Sequence, residues 1–182
     1  PLDTPLEIWT ITLENPGTKA RRISFFPFME LYLAGYTMAY DLPIHSSWAQ
    51  FEPGERLIAA AYVHLHTAKR FDYFIHPAFE IDGYDCRRED FIGTYGDYSA
   101  PKGVLQNVSG NQRGYHDPLV AAFRKEIVLN PGEAQTFRLL AGVSGSPAER
   151  RETIRRYACQ DEIATALKRL RKDYDEKFGR VK

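Results

Sequence analysis

The chain has 182 residues, the length of one large domain or of one domain plus a tail. Its 24 Lys and Arg balance 24 Asp and Glu, so nothing in its charge favours a phosphate backbone as partner. A hydrophobic share of 43% with 26% charged residues is globular rather than disordered composition, and no apolar run approaches the ~18 residues of a membrane span.

The chain opens at Pro1 rather than Met and shows no signal-peptide pattern, so we expect a piece of a longer polypeptide. Cysteine is used twice, at Cys86 and Cys159, and without a C-x-x-C pair no thiolate zinc site is expected. Two free thiols in a cytoplasmic chain is the expected state, with one disulfide as the alternative. Aromatics are numerous, with 11 Tyr, 11 Phe and 2 Trp. They suit a pleated, half-buried β-core, and a sugar-stacking platform is the functional alternative.

Residues 5–14 read as a strand of β-branched and aromatic residues ended by Asn15-Pro16-Gly17. Residues 22–33 alternate, with Ile23, Phe25, Met29, Leu31 and Leu33 on one face. Pro27 cannot donate to a ladder, which places that strand at an edge or at a bulge. Residues 34–56 carry Gly35, Pro43, Pro53 and Gly54 and read as a long loop with short extended pieces. Residues 57–66 put Leu57, Ala59, Ala61, Val63 and Leu65 on one face, and 71–79 alternate likewise. The short Thr67–Arg70 connection predicts a hairpin between them. Residues 82–118 are rich in Gly and Pro and read as a second irregular segment. Residues 119–129 and 136–143, joined by Asn130-Pro131-Gly132-Glu133, give the clearest hairpin signal.

The pattern then changes abruptly to helix. Ser146-Pro147-Ala148-Glu149 combines an N-cap, a proline at the first helical position and a capping-box glutamate. A helix is predicted over about 147–157 and a second over about 160–178, ended by Gly179. The apolar stripe of the second is Ile163, Leu167, Leu170, Tyr174 and Phe178. A helix of this kind gains little unless the stripe packs on the sheet or on a further domain.

Candidate sites are sparse. His64 and His66 share a strand face and could ligate a metal with His76; surface histidines are the plainer reading. Asp85-Cys86-Arg87-Arg88-Glu89-Asp90 is either a solvated loop or a buried Arg–carboxylate network bordering a ligand site. Glu30, among mostly apolar strand neighbours, is expected to be partly exposed or ion-paired rather than catalytic. Hydrolase-elbow, P-loop and zincin motifs are absent from the sequence.

The order of segments resembles the N-terminal β-sandwich domain of glycoside hydrolase family 94, formerly glycosyltransferase family 36. The matching pieces are Glu7-Ile8-Trp9-Thr10-Ile11-Thr12-Leu13-Glu14-Asn15, Arg22 to Leu31, and Arg87-Arg88-Glu89-Asp90-Phe91-Ile92-Gly93. Pro101 with Leu105, Asp117-Pro118 and Leu129-Asn130-Pro131-Gly132-Glu133 follow in order. The resemblance implies a mainly β fold, an antiparallel β-supersandwich of galactose-mutarotase type over 1–145. It also implies a helical linker over 146–182 leading to an (α/α)6 barrel.

Family members cleave β-glucosidic bonds with inorganic phosphate and inversion, and their general acid is a barrel aspartate. The resemblance therefore implies no catalytic residue, metal or cofactor in this chain, with phosphate a co-substrate of the parent enzyme. It implies as partners the chain's own barrel, an oligosaccharide and a subunit interface such as that of a homodimer, with no nucleic acid and no membrane. Cellobiose-type members carry Gln-Arg after the second strand, where an ungapped count gives Ile44-His45 here. Asp41, His45 and Trp48 are closer to the cyclic glucan synthase branch, so His45 and Trp48 become candidates for the rim of a sugar site. The competing readings are a free-standing carbohydrate-binding module and a ligand-free interaction domain. Packing or exposure of the 163–178 stripe discriminates among them.

Overall fold

The computed structural model describes residues 1–31, 47–63, 70–115 and 118–179. Strand β1 (Leu6–Glu14) is followed by β2 (Arg21–Phe25) and β3 (Phe28–Leu31). Then come β4 (Ser47–Glu52), β5 (Leu57–Val63), β6 (Arg70–Pro77) and β7 (Gly83–Arg87). Two short helices, α1 (Arg88–Phe91) and α2 (Lys102–Gln106), lead to β8 (Gly114–Tyr115). The long strands β9 (Leu119–Leu129) and β10 (Ala134–Val143) precede α3 (Pro147–Tyr157) and α4 (Gln160–Phe178).

The strands form two antiparallel sheets. One has six strands in the order β1-β10-β6-β5-β4-β8. In the other, β9 is flanked by β2 and β3 end to end along one side and by β7 on the other. Phe25 lies opposite Lys125 and Phe28 opposite Ala122, so the register is unbroken across Phe26-Pro27. One edge strand is therefore interrupted at the residue that has no N–H to give, and the Pro27 carbonyl still accepts from Phe123 N–H at 3.0 Å.

Ile58, Ala60, Tyr62, Ile75 and Leu139 of the six-stranded sheet meet Leu31, Cys86, Leu119, Ala121 and Phe123 of the other across a dry sandwich core. A second cluster lies on the outer face of the large sheet. There Leu57, Ala59, Phe74 and Leu140 are covered by Tyr157 of α3, with Ile154, Ile163 and Ala166 packed alongside. A third cluster, Phe91, Ile92, Val120 and Ala122, sits on the outer face of the small sheet. Strand β5 is thus buried on both faces, although alternation predicts one: the helices hide its second face.

Three expectations change. Strands β9 and β10 do not pair with each other; β10 pairs with β1 and β6, while β9 belongs to the other sheet. The Asn130–Glu133 turn is therefore a crossover between sheets rather than a hairpin. Gly132 takes φ 73° after Pro131, and Glu133 N–H closes the turn on the Asn130 carbonyl at 3.0 Å. The segment 82–118 is not irregular throughout, since β7, α1, α2 and β8 lie in it. Within 34–56, residues 47–52 form a full strand; residues 34–46, and most of the Thr67–Arg70 connection, lie outside the described residues. The two C-terminal helices fall where their caps place them. Ser146 Oγ accepts from Glu149 N–H at 3.2 Å, while the Glu149 carboxylate takes the N–H of Gly145 rather than that of the cap residue.

Candidate functional site

Trp48 stands on β4 directly opposite Ala61 of β5 on one side and Tyr115 of β8 on the other. Its alternation partners Ala49 and Phe51 point into the sandwich, so Trp48 projects from the outer face of the large sheet, next to the cluster under α3. The Arg70 guanidinium lies 5.8 Å from its ring centroid. Asp72 holds that guanidinium by a fork of hydrogen bonds of 2.6–3.0 Å. Tyr115, on the edge strand, is 41% exposed, and Arg113 lies 5.0 Å over its ring. The structure thus sets one predicted rim residue beside a second aromatic, with one guanidinium over each ring. His45 lies outside the described residues.

Tyr115 and Arg113 escape a reading by pattern, because β8 has two residues and shows no period. What fixes them is tertiary. A side chain at Gly114 would come within 2.5 Å of Leu119 Cδ2 and 2.9 Å of the Cys86 carbonyl. Upstream, Asn111 N–H donates to the Tyr84 carbonyl at 2.9 Å, and Tyr84 N–H donates to Asn111 Oδ1 at 3.0 Å.

His64 and His66 lie outside the described residues. His76 is on β6, where burial holds its imidazole below the usual pKa. Among the described residues no three His, Cys, Asp or Glu converge. Glu30 is partly exposed and ion-paired, as its neighbours suggest. It accepts from Arg88 Nε at 3.1 Å, and Arg88 lies 5.7 Å from the Tyr98 ring.

The Asp85–Asp90 cluster divides. Arg87 pairs with Glu89 at 3.2 Å, on the surface, and Arg88 with Glu30. Of the cluster's charged residues Asp85 alone is deeply buried, 1% exposed; it accepts from the Gly110 N–H at 2.5 Å, with the Ser109 side chain as a further partner. Burial pushes its carboxyl up to about 6, against the opposing pull of that N–H. The neighbouring Cys86 thiol is pushed up to about 12 by burial, so it is an inert core group. Cys86 and the exposed Cys159 are both free.

The stripe of α4 is split. Ile163 and Ala166 pack on the large sheet, whereas Leu167, Leu170, Tyr174 and Phe178 remain 43–62% exposed. A groove of about 530 Å³ runs between α4 and β1, walled by Ile8, Trp9, Leu167 and Leu170. No described helix is long and apolar enough to cross a membrane.

Two antiparallel sheets face to face, followed by a half-docked C-terminal helix, are the architecture of a supersandwich domain. Residues 1–160 match the family described as glycosyl hydrolase 94, supersandwich domain, and the chain belongs to that family. It is 26% identical over 168 residues to a solabiose phosphorylase of Paenibacillus borealis, covering 92% of this chain and 22% of that protein. It is 24% identical over 177 residues to an N,N'-diacetylchitobiose phosphorylase of Vibrio furnissii, covering 96% and 22%. A 3-O-β-D-glucopyranosyl-β-D-glucuronide phosphorylase of P. borealis is 29% identical over 157 residues, covering 81% and 19%. The chain spans about a fifth of the length of these relatives.

Proposed function

We propose that the chain is the non-catalytic supersandwich domain of a phosphorylase that cleaves β-glucosides with inorganic phosphate. Its work is to support a catalytic barrel, to contribute to a subunit interface and to lend His45 and Trp48 to the rim of a sugar site. The observation that carries the reading is the split stripe of α4. Four large apolar side chains in its last three turns face solvent, while its first turns are docked. An exposed apolar row of this length on an otherwise charged helix marks a surface made to be covered. The covering element proposed is a barrel following the linker, as the family resemblance implies. The chain's small share of its relatives' length supports the same division of labour.

A cytoplasmic setting belongs to this reading, supported by two free thiols and no disulfide among the described residues. A free-standing sugar-binding module is the second reading. It draws support from α3 and the start of α4, which cover the sheet and complete a self-sufficient core. Phosphorolysis assays separate the two. The isolated chain is expected to release no sugar phosphate from β-linked disaccharides, and the chain joined to its following polypeptide is expected to do so. Turnover by the isolated chain contradicts both readings. A joined protein that binds disaccharide without phosphorolysis leaves the module alone standing.

A further inference from the structure

We infer that the cross-strand pair Trp48–Tyr115 is a stacking platform for a hexopyranosyl unit, with Arg113 the hydrogen-bond donor that orients it. The inference deepens the sugar-rim reading above and rests on it.

Trp48 and Tyr115 are directly opposed in antiparallel pairing, so their side chains leave the same face of the sheet as nearest neighbours. Tyr115, 41% exposed, and the partly buried Trp48 beside it together offer an apolar surface that matches the C–H face of a pyranose ring, with the tyrosine hydroxyl at its margin. Among the described residues β8 is the last strand of the six-stranded sheet and Tyr115 is exposed, so the platform lies at a sheet edge.

The two arginines are not equivalent. Arg70 spends its fork on Asp72, and its guanidinium lies over Trp48, which restrains the indole without adding a free donor. Arg113 forms no ion pair among the described residues and lies 5.0 Å from the Tyr115 ring. Its planar set of N–H groups is the natural partner for adjacent ring hydroxyls, which present paired oxygens.

The platform is also pre-shaped. Asn111 clamps the chain to β7 just upstream, and the packing around Gly114 leaves β8 no room to shift. Little ordering is left for a ligand to impose, which favours binding by a small surface. An aromatic pair serving only to cover the sheet would need neither the exposed tyrosine nor a guanidinium stationed on it.

Tryptophan fluorescence gives the test, because the chain has 2 Trp, Trp9 and Trp48. The Trp9→Phe chain reports from Trp48 alone. Titration with cellobiose is expected to give a saturable change in its emission. By calorimetry, Tyr115→Ala and Arg113→Ala are expected to bind cellobiose roughly tenfold more weakly, the scale of one aromatic contact or one charged hydrogen bond. Tyr115→Phe keeps the ring and is expected to bind like the parent. All variants are expected to melt at the parent temperature, since the changes lie at a sheet edge.

Unchanged Trp48 emission up to the solubility limit of the sugar overturns the platform. So does full affinity in Tyr115→Ala. Calorimetric binding that persists with a silent Trp48 removes the platform while leaving a sugar site elsewhere on the domain. The phosphorolysis assay tests the parent reading independently of either outcome.

Discussion

Asp85 is the residue at which the chain departs most from what its sequence advertises. In Asp85-Cys86-Arg87-Arg88-Glu89-Asp90 it looks like one charge among six. The alternation of β7 puts it opposite Ala122 on the outer face of the small sheet, where it is buried and accepts from the Gly110 N–H at 2.5 Å, with the Ser109 side chain as a further partner. A carboxyl held up to about 6 in the folded chain, against 3.8 for the ordinary group, is stabilising while it is protonated. That contribution is complete below pH 3.8 and is lost as the pH rises through 6. The loss amounts to roughly 3 kcal/mol, from ~1.4 kcal/mol for each tenfold change in proton affinity. Asp82 and Glu126 run the opposite way. Asp82 is held low first by the Glu126 N–H and Glu126 first by Asn107, so their share of stability is lost on acidification. The difference between Asp85→Asn and the parent isolates the buried group. Urea midpoints at pH 4.5 and 7.5 are expected to fall with rising pH in the parent more steeply than in the variant. Equal slopes would mean that Asp85 is solvated.

At the scale of elements, α4 is two helices in one physical sense. Its first two turns belong to the domain through Ile163 and Ala166. The remainder is held by its own backbone and by i,i+4 pairs such as Asp173–Lys177 at 2.8 Å and Lys172–Glu176 at 3.7 Å. Such pairs contribute only tenths of a kcal/mol each. Ile163→Ala is expected to cost about 1–2 kcal/mol in a denaturation midpoint, since the site is half-buried and packed. Leu170→Glu with Tyr174→Glu is expected to change the stability of this chain by less than ~0.5 kcal/mol. The same pair of changes is expected to abolish association with a following barrel. A double variant that unfolds the isolated chain would show that the stripe serves the sandwich itself. The helix, its caps and its stripe are legible in the sequence because 3.6-residue periodicity and capping are local. Which half of the stripe is covered is not legible, because that depends on where the sheet ends.

The whole molecule is held in register by a device that spans both sheets. β1 passes to β2, and β9 to β10, by crossing from one sheet to the other at the same corner. Asn15 sits in that corner, 1% exposed. Its amide donates to the Lys19 carbonyl at 2.8 Å and to the Leu129 carbonyl at 2.9 Å, and its oxygen accepts from Gly17 N–H at 3.1 Å. Its own N–H and carbonyl bind Glu133 and Gly132 of the opposite crossover. Asn15→Ala leaves buried carbonyls without donors and is expected to cost about 2–4 kcal/mol. Urea denaturation checks this, and a cost near zero would show that water replaces the amide.

The sequence alone determined the β-to-helix switch, the ends of both C-terminal helices, the Pro27 interruption and the turn chemistry at Asn130–Glu133. Its ordered motifs pointed to the supersandwich family. All of these are carried by neighbours within a few residues, or by a run of short patterns in order. The tertiary structure alone decided that β9 and β10 part company, that Asp85 is buried on a backbone donor, and that Tyr115 stands beside Trp48. Each of those is a pairing between residues far apart in the chain. Strand alternation states which face is apolar but not which strand lies opposite, so such partners emerge only when the sheets close on one another.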